Sequence, residues 1–140
     1  MQLGASLPAA AGWLEPQVSA TWNHFAFDDD TAYGNNDLPG APAYLIHGEV
    51  MYRHADGFFA GPTFDFSGDR YVDFANSYRV SGYELLGLRA GYHQPRWDVY
   101  VGARNLLGRD YIASASAQAV ASATDAVLYP GEPRSVYAGF

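Results

Sequence analysis

The sequence predicts an all-β fold, an antiparallel up-and-down meander of about seven strands, on three observations. Apolar and polar residues alternate in runs of roughly ten, long connections take turns with short ones, and aromatic residues gather at the ends of the runs. Period-2 alternation puts one face of each strand in an apolar medium and the other in a polar one.

The first run sets Leu3, Ala5 and Leu7 against Gln2, Gly4 and Ser6, and Pro8 with the small residues up to Gly12 ends it. From Trp13 the second run places Val18, Ala20 and Trp22 opposite Gln17, Ser19, Thr21 and Asn23; the phase fails at His24-Phe25, and Asp28-Asp29-Asp30 stops it. A loop rich in Gly, Pro, Asn and Asp leads to Pro42. The third strand, Tyr44 to Arg53, alternates Tyr44, Ile46, Val50 and Tyr52 with His47, Glu49 and Arg53, Leu45 and Met51 being exceptions on the polar row. Asp56-Gly57 then makes a hairpin turn.

The fourth strand, Phe58 to Ser67, sets Phe58, Ala60, Phe64 and Phe66 against Gly61, Thr63, Asp65 and Ser67. Pro62 has no N–H to give a neighbour, so a bulge or a lost bond is expected there. A loop over 68–82 leads to the central hairpin. Its first strand carries Leu86, Leu88, Ala90 and Tyr92 on one row headed by Glu84, with Arg89, His93 and two glycines on the other. After the tight break Gln94-Pro95-Arg96, Val99, Val101 and Ala103 oppose Asp98, Tyr100, Gly102 and Arg104. The longest connection covers 106–133; its stretch Ala113 to Ala123 has no amphipathic period and reads as flexible loop rather than helix. Ser135 to Phe140 is the seventh strand.

Connections are thus short at 8–12, 55–57 and 94–96 and long at 28–42, 68–82 and 106–133. A transmembrane β-barrel has this alternation of turns and loops, and an apolar outward row on every strand. Strands of about 10 residues at about 3.3 Å each, tilted near 45°, cover the roughly 25 Å apolar band. Trp13, Tyr52, Phe58, Tyr92 and Trp97 flank the short turns, as an interfacial aromatic girdle would. The competing architecture is a soluble β-sandwich with aromatics in its core; regular alternation of loop length argues against it.

Composition excludes several functions. The net charge is −7 and all eight basic residues are arginine, with no concentrated basic face to meet nucleic acid. The absence of cysteine removes disulfides, thiolate metal sites and a thiol nucleophile. His24, His47, His54 and His93 fall on different segments with no ligand spacing, and Asp28-Asp29-Asp30 lacks the pattern of a calcium loop, so no metal is expected. Ser114, Ser116 and Ser122 have no glycine elbow. No catalytic constellation exists, and an enzyme is not expected.

The exit Asn105-Leu106-Leu107-Gly108-Arg109-Asp110-Tyr111, with Pro130-Gly131-Glu132-Pro133-Arg134, resembles the C-terminal barrel segment of TonB-dependent outer-membrane receptors. Ser19-Ala20-Thr21-Trp22 through Phe27-Asp28, Pro39-Gly40-Ala41-Pro42, Gly68 to Asp73 with Ala75-Asn76, and Tyr83 to Tyr92 extend the resemblance over nearly the whole chain. In that family a barrel of 22 strands surrounds an N-terminal plug. The resemblance implies that residues 1–140 are part of such a barrel, without the plug, and that the whole receptor takes up a ferric siderophore or similar scarce nutrient with energy from TonB acting through the plug. Implied partners are outer-membrane lipid, the remaining barrel and plug, and the outer-membrane assembly machinery; no cofactor is implied.

By position in the long loops, Tyr33, Asn35, Asn36, Tyr71, Asp73, Asn76 and Tyr78 are the ligand-contact candidates. Glu49, Arg53, Asp65, Arg89, Asp98 and Arg104 fit a water-lined lumen. Phe140 shares a row with Val136 and Ala138 and is the candidate assembly signal. The last strand is short for the family, so the reading frame is expected to continue past Phe140, and the isolated chain is expected to aggregate through open edges. The alternative function is a soluble β-rich binding or adhesion module.

Overall fold

The computed structural model describes residues 1–117, 120 and 127–140. Among these, every regular element is a strand: β1 (Gln2–Gly4), β2 (Leu7–Ala9), β3 (Gly12–Trp22), β4 (Tyr44–His54), β5 (Phe58–Ser67), β6 (Arg70–Tyr71), β7 (Arg79–Val80), β8 (Tyr83–Gln94), β9 (Trp97–Arg104), β10 (Ile112–Ala115), β11 (Leu128–Pro130) and β12 (Ser135–Gly139). The main sheet is an antiparallel meander ordered β1-β3-β4-β5-β8-β9-β12, with β2 also on β3. It does not close on itself, leaving β1 with β2 at one edge and β12 at the other.

The single first strand predicted from Leu3, Ala5 and Leu7 is two. Gln2↔Ser19 and Leu7↔Leu14 keep one register, but the ladder lapses between them where Pro16 faces Ala5; Pro16 accepts from Ala5 N–H at 3.1 Å and donates nothing back. Its missing N–H thus faces the short edge strands rather than β4, where a central strand needs every bond. Pro62 behaves as expected. The β4–β5 ladder pairs Glu49↔Thr63 and Tyr52↔Ala60 in one register and loses the pairs opposite Gly61 and Pro62, a lost bond without a bulge.

The two faces separate as the alternation requires. Leu88 (48% exposed), Val101 (47%) and Val136 (73%) lie on one face with Tyr44, Phe58, Phe66, Leu86 and Trp97, an apolar surface that no other part of the described residues covers. A soluble sandwich would bury such a face against a second sheet. Among the described residues few apolar side chains are buried: Met51 on the inner row, and a small cluster of Val72 and Val80 in the loops. Met51 breaks the polar row, and its position lies opposite Gly61, where a Cβ would come within 2.9 Å of Met51 Cα.

Two predicted loops carry their own hairpins. β6 pairs with β7 inside 68–82, and β10 pairs with β11 inside 106–133. Ile112–Ala115 is therefore strand where the sequence reads as flexible loop; 118–119 and 121–123 of that stretch lie outside the described residues. Burial overrides the weak local pattern: Ile112, Ala115 and Leu128 pack on Val72 and Val80.

Candidate functional site

The polar face of the sheet is a concave wall. Its cavity of about 500 Å³ is lined by side chains from β4, β5, β8, β9 and β12, among them Glu49, Asp65, Arg89, Asp98, Arg104 and Tyr137. All six residues assigned to a water-lined face, Arg53 included, fall on this side by strand register. Glu49, Arg53, Asp65, Arg89 and Arg104 enter ion pairs. Arg53 meets Glu15 at 2.5 Å, Arg89 meets Glu49 at 3.3 Å, His47 meets Asp65 at 2.6 Å and Arg104 meets Glu132 at 3.4 Å. These pairs are largely exposed, so each adds at most about 1 kcal/mol; their consequence is a hydrated, charge-balanced surface.

Tyrosine rings cover two glycines of this wall. A Cβ on Gly102 would come within 2.2 Å of the Tyr137 ring and one on Gly139 within 2.4 Å of the Tyr100 ring, each Tyr lying opposite the Gly it covers. Arg104 sits over the Tyr137 ring at 4.8 Å and Arg53 over Phe59 at 5.5 Å.

Trp13 belongs on this face rather than in the outer girdle to which its position near a short turn assigned it. It pairs with Arg53, and its indole N–H donates to Glu15 at 2.7 Å. Tyr52, Phe58, Tyr92 and Trp97 do stand on the outer face beside the short turns, Tyr92 and Trp97 with centroids 5.7 Å apart. Trp22, Tyr44 and Phe66 form a second outer belt at the long-loop end. The sequence carried that signal, since each of the three closes the apolar row of its own strand.

Above the wall the three long loops interlock. Asn76, with φ of 54°, exchanges two hydrogen bonds with the Asp37 backbone: its Oδ1 accepts from Asp37 N–H at 2.7 Å and its Nδ2 donates to Asp37 O at 2.8 Å. Asn36 Nδ2 donates to Phe74 O at 2.9 Å, and Gly40 N–H donates to Tyr71 O at 2.8 Å. Phe27, Tyr33 and Phe74 stack with centroids 5.3 to 5.9 Å apart. Buried Arg70 reaches Ile112 O at 2.6 Å, tying the second loop to the third.

The loop candidates therefore sit in one cluster with different jobs. Asp73 is fully buried, and its carboxylate accepts from the N–H groups of Ser77 and Tyr78 and from the Ser77 hydroxyl. Tyr78 packs on the Val72–Val80 cluster, and Asn36 and Asn76 clasp the first loop to the second. Asn35 is exposed and exchanges side-chain bonds with Asp29. Tyr33 and Tyr71 are half-buried, Tyr33 in the aromatic stack. Phe140 is fully exposed just beyond β12, on the outward row with Val136 and Ala138. Among the described residues no group of three or more potential ligands is placed to hold a metal ion.

Asn105 was legible only as part of a motif. It is buried, has φ of 49°, exchanges bonds with Arg109 at 2.8 Å in each direction and donates to Glu132 O at 3.1 Å. Tyr111 stacks on Tyr83 at 4.5 Å and its hydroxyl accepts from Glu132 N–H at 3.2 Å. One asparagine and one tyrosine thus bind the exit of β9 to the strand that returns.

An open meander with an apolar outer face, a charged inner face and an interlocked loop cluster at one end is the wall of a membrane β-barrel. The chain belongs to the TonB dependent receptor-like β-barrel family, whose model matches residues 2–106. It is similar in fold to the ferric citrate transporter FecA in its unliganded form (TM-score 0.73, 22% identity, covering 89% of this chain and 20% of that one). It is similar also to the ferric yersiniabactin uptake receptor FyuA from Yersinia pestis (TM-score 0.73, 21% identity, 98% and 22% covered) and to the siderophore receptor PiuA from Acinetobacter baumannii (0.65, 19%, 98% and 20%). At these identities the likeness is one of fold, and the chain spans about a fifth of the length of each.

Proposed function

We propose that this chain supplies barrel wall and outer loops to an outer-membrane receptor that takes up a ferric siderophore or a similar scarce nutrient, driven by TonB through a plug held in the lumen. The observation that carries the reading is the division of one sheet into an uncovered apolar face and an ion-paired, hydrated face. Lipid satisfies the first; a polar plug and water satisfy the second. The family is one of receptors rather than enzymes.

In this reading the loop cluster faces the cell exterior and contacts the ligand through Tyr33, Asn35 and Tyr71, while Asn36, Asp73, Asn76 and Tyr78 hold that surface in shape. The test is ligand-dependent uptake by cells carrying the whole receptor, with insertion measured separately. Replacing Tyr33, Asn35 and Tyr71 together by Ala is expected to lower uptake at least tenfold while leaving insertion intact. Unchanged uptake would remove these residues from the ligand surface.

A further inference from the structure

The arginines that face the lumen or the loop cluster already have acceptors. On the wall Arg53 is paired with Glu15 and lies over Phe59, Arg89 is paired with Glu49, and Arg104 is paired with Glu132 and lies over Tyr137. In the loops Arg79 is paired with Asp69 and Arg109 with Glu84, while Arg70, only 5% exposed, donates to Ile112 O. Arg96 lies in a short turn at the opposite end of the sheet, and Arg134, one position before β12, falls by strand alternation on the outward row of Val136. No guanidinium therefore meets a ligand on the inner side without a carboxylate or a carbonyl already on it.

Carboxylates are left over on that side. Asp98 lines the cavity of about 500 Å³, is exposed, and among the described residues has no Arg or His within ion-pair distance. The first long loop carries Asp28, Asp29, Asp30 and Asp37, all exposed and all without such a partner, and it contains no Arg or Lys. Asp29 accepts from Asn35 Nδ2 at 3.2 Å, and Asp30 accepts from the N–H groups of Ala32 and Tyr33 at 2.8 and 3.0 Å. These donors are neutral, so the negative charges stay uncompensated. Tyr33 and Asn35, placed above on the ligand surface, belong to the same loop, and Phe59, Tyr100, Tyr111 and Tyr137 add aromatic rings to the cavity.

We infer that the ligand is a ferric complex without net negative charge, of the hydroxamate type, and that Asp98 and the aspartates of the first loop discriminate against anionic complexes. Three hydroxamates, each giving up one proton, balance the charge of ferric iron and leave a neutral core. Three catecholates, each giving up two, leave the complex triply negative, and citrate leaves it negative as well. A cleft whose uncompensated charges share one sign concentrates ligands of the opposite sign and repels those of its own. A polyanionic complex is held best by guanidinium groups that match its oxygens, and here each inner-side guanidinium has another acceptor. A neutral core meets no repulsion, its methylene chains pack on the aromatic rings, and a pendant ammonium is drawn to the aspartates and to the tyrosine faces. The inference rests on the uptake reading above and narrows its ligand.

The test uses the complete receptor carrying this chain, inserted in membrane and purified in mild detergent, with heat-modifiable migration verifying the fold of every variant. Equilibrium binding compares one linear ferric tris-hydroxamate in three forms that share core and size: a terminal amine (cationic), its N-acetyl derivative (neutral) and its N-succinyl derivative (anionic). A ferric tris-catecholate and ferric citrate complete the set. The expected result is binding of the amine form at least tenfold tighter than the succinyl form, with the acetyl form between them and both anionic complexes weaker still. The gap is expected to narrow with added salt. It is expected to narrow also in the variant combining Asp28→Asn, Asp30→Asn, Asp37→Asn and Asp98→Asn, where asparagine keeps an acceptor oxygen and the acetyl form retains its affinity. Equal affinity for the three forms, a preference for the succinyl form, tighter binding of the catecholate or citrate complex, or a gap indifferent to the four substitutions overturns the inference and leaves ferric uptake standing. A receptor that inserts and binds none of these complexes overturns the ferric reading of the ligand and the inference with it.

Discussion

Asn76 shows how a single side chain shapes the loop surface. It is held in a left-handed backbone conformation, where asparagine is tolerated better than most residues, and it satisfies backbone groups of a loop 39 positions away as a neighbouring strand would. Asn76→Ala removes both bonds and is expected to loosen the clasp by about 1–3 kcal/mol. Hydrogen exchange at the Asp37 amide reads this directly; unchanged protection would mean that Phe27, Tyr33 and Phe74 hold the loops without it. Glu132 offers a second residue-level test. The Ser135 hydroxyl, joined by Arg104, holds its carboxyl below the usual range against an opposing cost of burial. A folded value below the unfolded one gives stability that is complete above the unfolded carboxylate range and is lost as pH falls through the folded value. Glu132→Gln is therefore expected to flatten the acid limb of the exchange profile at the Ser135 amide.

Among the elements, the terminal hairpin of β9 and β12 carries a register code. Tyr137 faces Gly102 and Gly139 faces Tyr100, so each ring lies over a residue without a side chain. A slip of one residue would turn every outward side chain inward, and a slip of two would set Tyr137 opposite Tyr100. Cysteines at Ala103 and Val136, which are partners, are expected to cross-link in the otherwise unaltered hairpin. Adding Tyr100→Gly and Tyr137→Gly is expected to admit a Val101–Val136 cross-link as well. If the pattern stayed single, register would be set elsewhere, with the Asn105 and Tyr111 contacts as the nearest cause. Strand existence and facing were legible because alternation is a local signal that a lipid boundary enforces along every strand. β6, β7, β10 and β11 were not: each is four residues or fewer, and what makes them strands is burial around Val72 and Val80, contacts made at long range. Trp13 was misplaced for a related reason. Its distance along the chain from a turn says nothing of its face, which the pairing with Arg53 sets.

For the whole molecule, the loop residues read as ligand contacts lie in one loop cluster, where burial and hydrogen bonding sort them into surface and scaffold, a distinction no spacing encodes. The facing of the sheet was legible except at Trp13, and it carries the central claim: Leu88 faces hydrocarbon and its neighbour Arg89 faces a hydrated lumen, where Arg89 pairs with Glu49 at 3.3 Å. The most direct measurement is the folding free energy, in lipid bilayers, of the complete barrel carrying either Leu88→Arg or Arg89→Leu. Arginine on the lipid face near mid-depth is expected to cost about 2–4 kcal/mol. Leucine at position 89 loses only an exposed ion pair and is expected to cost no more than about 1 kcal/mol. Equal losses, or a larger loss at Arg89, would contradict the assignment of the two faces.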